Sequence, residues 1–111
     1  MTQASHDTRI VLTTAGSMEE ARRLANALVE ERLAACTSLV PQVESIYRWE
    51  GRVENAAEIL LVIKTNAEKL ERLEARLHEL HSYETPEFLV LKVEAGSRDY
   101  LAWLASGLRD A

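Results

Sequence analysis

Five consecutive apolar residues, Ile59-Leu60-Leu61-Val62-Ile63, constrain this chain more than any other segment. Their number and β-branched content suit a strand. Successive side chains of a strand point to opposite faces, so a strand with one wet face should alternate between apolar and polar residues. This one does not alternate, and both of its faces need cover. Burying each such side chain is worth about 1.5–3 kcal/mol, too much to leave in water along a whole strand. The cover is either a helix of the same chain or a sister chain packed sheet against sheet, and we expect a homo-oligomer. A run of five is far below the ~20 apolar residues that a bilayer span requires.

The remaining pattern is that of one small domain. At 111 residues the chain can hold a single core. Residues 1–8 are polar and without period, which predicts a frayed leader ahead of one domain over residues 9–111. With 13 Lys and Arg against 18 Asp and Glu, and a net charge of −5, the chain lacks the basic cluster through which proteins bind nucleic acid or anionic membranes. Its single cysteine, Cys36, excludes an internal disulfide, and no basic-then-apolar leader opens the sequence. A reducing cytoplasm is the expected compartment.

Ile10, Val11 and Leu12, closed by Gly16, predict the first strand. Ser17 with Glu20 has capping-box spacing, and Met18, Ala21, Leu24 and Leu28 draw the stripe of a helix reaching about Leu33, with Glu19 and Arg23 paired outside. From Cys36 to Glu50 the pattern is extended, interrupted at Pro41, which has no N–H for a ladder. Glu50-Gly51 forms a tight turn, so a long β-hairpin returns through Arg52 toward Ile63. Thr65 and Glu68 repeat the capping box before a helix carrying Leu70, Leu73, Leu77 and Leu80, which must end before Pro86. Phe88 to Val93 reads as a strand, and Ser97 caps a last helix burying Tyr100, Leu101, Trp103, Leu104 and Leu108. The order β-α-β-β-α-β plus a C-terminal helix is that of a ferredoxin-like α+β sandwich, with both crossover helices on one face of the sheet.

Several segments resemble the CutA family of divalent-cation tolerance proteins, and they fall in that family's order. They are LVEERLAAC before the long strand, YRWEG at its hairpin, IKT after the apolar run, HSYETPE before the fourth strand and YLAWL in the last helix. The resemblance spans about Arg9 to Leu108. It implies a trimer of ferredoxin-like subunits, similar in architecture to PII signalling proteins, a link to copper and other divalent metals, and no established catalytic reaction. Relatives described as copper binders carry a cysteine at the end of the first strand and a second histidine before the HxY motif. Thr13 and Leu80 occupy those places here, so His81 alone of that set matches, and Ser82 replaces the proline that usually follows it.

Imidazole and thiolate are the ligands copper favours, which makes His6, His78, His81 and Cys36 the candidates by residue type; His81, the one the resemblance matches, and Cys36 are the candidate metal ligands, with His78 three residues before His81 on the same side of a helix. Cys36 reads first as a small buried core residue, because free cysteine is among the most buried residue types. No cofactor is required; a divalent metal such as copper is the one candidate. Tyr47, Trp49, Lys64, Tyr83, Glu84 and Glu87 bring aromatic faces, a cation and carboxylates to the shared segments, and are the candidate lining of a cleft between subunits. Two functions are in play: a non-enzymatic, CutA-like homotrimer in copper tolerance, and a PII-like regulatory trimer holding a small ligand in its clefts. An acylphosphatase-like hydrolase would need an Arg and an Asn that the Ala15-Gly16-Ser17 loop lacks. A nucleic-acid-binding relative of the fold would interleave aromatic and basic residues where ILLVI and FLVLKV stand.

Overall fold

A hairpin of two long strands dominates the molecule and draws it out to 46 × 27 × 22 Å. The radius of gyration is 14.8 Å, against the ~13 Å usual for a chain of this length. The computed structural model describes residues 1–110. In chain order its elements are β1 (Thr2–Ala4), β2 (Thr8–Ala15), α1 (Met18–Glu30), β3 (Cys36–Trp49), β4 (Arg52–Asn66), a 3-10 turn (Ala67–Lys69), α2 (Leu70–Leu80), β5 (Leu89–Lys92), β6 (Ala95–Ser97) and α3 (Arg98–Leu108). The main sheet runs β3-β4-β2-β5, antiparallel throughout, the ferredoxin-like order.

Residues 1–8 are not a frayed leader. Thr2–Ala4 pairs with Ala95–Ser97 in a separate two-stranded ribbon, and Arg98 N–H donates to the carbonyl of Met1. Its side chains carry no hydrophobic period because backbone hydrogen bonds, not burial, hold it.

Both capping predictions are half right. Ser17 Oγ accepts from Glu20 N–H at 3.1 Å, but the Glu20 carboxylate turns away to Ser82 and takes Arg23 at 3.8 Å, the partner assigned to Glu19. At the second helix Asn66, not Thr65, is the cap, accepting from Lys69 N–H at 3.0 Å. Thr65 remains in β4, fully buried, and its hydroxyl donates to the Leu33 carbonyl at 2.7 Å. The first helix stops at Glu30 rather than Leu33. Arg32 turns left-handed (φ 59°), Leu33 N–H bonds back to Leu28 and Arg32 N–H to Val29, a Schellman closure with Arg where glycine is usual.

Burial separates the two faces of the apolar strand. Leu61 and Ile63 are fully buried with Val11, Leu24, Leu28, Leu73 and Leu77 beneath the two crossover helices. Leu60 and Val62 face the other way, register with Thr14 and Leu12 on β2, and are only half-buried. Leu89 and Leu91, opposite Leu12 and Ile10, keep 56% and 48% of their surface exposed. The uncovered face is therefore the even-numbered one. α3 does not close it: of its five predicted burying positions only Leu104 and Leu108 are buried, while Tyr100 and Trp103 stack on each other in solvent, ring centres 5.5 Å apart.

The hairpin bends where Pro41 forbids regular pairing. Register slips between Val40 and Val43, with Gln42 at φ 61°. Glu50 and Gly51 both take positive φ (49° and 79°), the two-residue turn whose twist matches that of the strands.

Candidate functional site

Where β2 ends, α1 begins and α2 gives way to the fourth core strand, five polar side chains converge. Gly16 makes this possible: a Cβ there would lie 3.2 Å from Tyr83 Oη. His81 leaves the helix in an extended conformation (φ −78°, ψ 142°), which turns its ring inward beneath the loop of residues 82–87. The ring is fully buried. Nε2 donates to the Thr14 carbonyl at 2.7 Å and Nδ1 accepts Tyr83 N–H at 3.0 Å. A carbonyl only accepts and a peptide N–H only donates, so these partners assign the neutral ring with its proton on Nε2.

Glu20, on the first turn of α1 and nearly buried, takes Ser82 N–H at 2.8 Å on one oxygen and Ser82 Oγ at 3.0 Å on the other. Burial pushes its carboxyl up, but the two bonds from Ser82 outweigh that and leave it below its ordinary value. A proline at position 82 could supply neither bond. Tyr83 reaches over Gly16 to donate its hydroxyl to Glu58 at 2.8 Å. Partial burial, then the Glu58 carboxylate, push the phenol up to about 12.

The predicted site residues fall into three groups. Tyr83 belongs to this cluster, and Glu84 and Glu87 lie exposed on the same loop. Tyr47 and Trp49 lie toward the hairpin tip, 44% and 65% exposed. Lys64 is six residues along β4 from Glu58, about 20 Å at the rise of a strand, and donates to Ser38 at 2.6 Å. One chain does not bring the six together.

The candidate metal ligands do not converge either. Both nitrogens of His81 are engaged, and His78 points to solvent with Nδ1 on the Glu74 carbonyl, because the helix ends between them. Cys36 is half-buried on the open sheet face, not in the core, 3.8 Å from Lys64 Nζ. Among the described residues no three His, Cys, Asp or Glu side chains are placed to share an ion. This donor set does not fit a resident metal within one chain. Glu20, Glu58 and Ser82 were invisible as site residues because their partners are 62, 25 and 62 positions away.

A sequence profile described as "CutA1 divalent ion tolerance protein" matches residues 9–107. The chain belongs to the CutA1 family. The divalent-cation tolerance protein CutA of Thermus thermophilus is 48% identical over 95 residues, covering 86% of this chain and 92% of its own. That of Pectobacterium atrosepticum is 45% identical over 103 residues, covering 93% and 94%. The solved structure of CutA from Synechococcus elongatus superposes with a TM-score of 0.95 at 40% identity, covering 98% of this chain and 96% of that one. CutA relatives are named for tolerance rather than for a reaction. Among the described residues of this CutA protein no helix is long and apolar enough to cross a membrane.

Proposed function

We propose that the chain forms a homotrimer that acts, without catalysis, in cellular tolerance of divalent cations, copper among them, from the cytoplasm. One observation supports the assembly above all others: the sheet face that carries Leu12, Leu60 and Val62, with Leu89 and Leu91 beside them on β5, is apolar and only partly covered by the chain itself. Sheet-to-sheet contact between sister chains removes it from water, at about 25 cal/mol for each Å² buried. The non-catalytic reading is supported by how the polar cluster is used. Glu20, His81, Ser82 and Tyr83 spend their hydrogen bonds on one another and on the backbone, and none is a nucleophile held against a base. The cytoplasmic placement rests on the lone reduced cysteine.

Growth under copper, zinc and cobalt challenge of a strain lacking the gene tests the reading. Restoration by the natural chain but not by Val62→Glu, which puts a charge on the open face, is the expected result. Equal growth with and without the gene contradicts it.

A second reading is a PII-like trimer with a small ligand between subunits. It is favoured by the exposed Tyr47, Trp49 and Tyr83, which one chain leaves apart and an assembly could gather. Calorimetry with copper, zinc and a panel of nucleotides separates the two: heat from a nucleotide and none from metal selects the second.

A further inference from the structure

We propose that Lys69, Arg72 and Arg32 form an oxyanion-binding site, that Asp110 occupies it in the resting chain, and that a phosphate group enters by displacing Asp110. The inference rests on the geometry of this chain and not on what the trimer binds. The cations come from two helix ends. Arg32 lies in the left-handed turn that closes α1, Lys69 in the 3-10 turn ahead of α2, and Arg72 in the first turn of α2. They meet at the end of α3. Leu108 is buried there, the Arg32 guanidinium donates to the Gly107 carbonyl at 3.3 Å, and the extended backbone of Arg109 (φ −69°, ψ 133°) carries Asp110 to Lys69.

The Lys69 side chain keeps 2% of its surface exposed, whereas that of Asp110, 3.1 Å away, keeps 71%. A buried ammonium is costly without acceptors, and it has three hydrogens to give. Among the described residues Asp110 is its one acceptor, through a single oxygen. Among the same residues no carboxylate lies within 4.0 Å of Arg32 or Arg72. Three positive charges therefore surround one carboxylate, in a chain whose net charge is −5. The Asp110 carboxyl responds to all three: the bond and charge of Lys69, then the charges of Arg72 and Arg32, hold it below its usual range. The site has more positive charge and more donors than Asp110 uses. A phosphate group carries a charge of about −1.5 to −2 and three strong acceptor oxygens, a closer match to three cations than one carboxylate. Asp110 is also the easier occupant to displace, since one bond holds it on an exposed segment. Entry of phosphate exchanges an internal anion for a better matched one and releases residues 109–110 from the start of α2.

Calorimetric titration of the full chain and of Asp110→Asn with inorganic phosphate, and with glycerol phosphate as a simple monoester, at one fixed ionic strength, tests this. Asp110→Asn should bind inorganic phosphate saturably and about tenfold or more tightly than the natural chain, because the competing carboxylate is gone while its cations remain. Adding Lys69→Met to Asp110→Asn should abolish the binding. Where that double variant does not fold, Arg72→Gln is added instead and should weaken binding about threefold, as befits an exposed cation. Binding of the monoester as well as inorganic phosphate assigns the site to phosphorylated molecules, and binding of inorganic phosphate alone assigns it to the free ion. Absence of saturable phosphate binding to Asp110→Asn, an equal affinity for the natural chain, or an affinity unmoved by the Lys69 or Arg72 substitution overturns the site.

Discussion

The Tyr83 hydroxyl donates to Glu58 Oε2 at 2.8 Å across the bare backbone of Gly16, joining the loop after α2 to the middle of β4. Glu58 is 8% exposed, so its carboxylate depends on this donor. Tyr83→Phe should lower stability by about 1 kcal/mol, less than the ~1.5–3 kcal/mol usual for a bond to a charged group because Tyr83 keeps 37% of its surface in water. Urea unfolding of the pair measures it.

Alkaline pH should act on the same contact. The folded phenol is raised from 10.0 to about 12, so its contribution is complete below pH 10 and disappears as pH climbs through about 12. The difference in phenolate absorbance between the natural chain and Tyr83→Phe should show this late titration, and stability in Tyr83→Phe should decline less over that interval.

Acid should act through Glu20 with the opposite sign. Its folded value is lowered from 4.5, so its contribution is present above pH 4.5 and is lost as pH falls through the depressed folded value. Thermal melts across that interval should decline more steeply for the natural chain than for Glu20→Gln.

Glu50 holds φ at 49° without being glycine or asparagine. Glu50→Asn should stabilise the hairpin by about 0.4–1 kcal/mol, because Asn-Gly suits two positive φ values in succession. Denaturant midpoints compare the two, and a lower midpoint for the variant contradicts the turn assignment.

Local signals in the sequence carried the architecture. The Ser17 cap, the Glu50-Gly51 turn, the break at Pro41 and the leucine stripes each act within a few residues, and each is in the structure. Long-range choices were not legible. Capping-box spacing assigns Glu20 to its own helix start, yet a loop 62 residues away offers two better donors. Thr65 looked like a cap because its role, a bond to Leu33 across the core, exists only after β4 is placed. Tyr100 and Trp103 fit a burying stripe, but α3 turns only Leu104 and Leu108 inward. The imidazole of His81 read as an available ligand, whereas the fold occupies both nitrogens.

Sedimentation velocity on the natural chain tests the central claim, that sister chains cover the even-numbered face of β4. The account predicts one species of three times the 12.5 kDa chain mass, and its conversion to smaller species by Val62→Glu. A folded single chain at micromolar concentration, with intact circular dichroism, would contradict it.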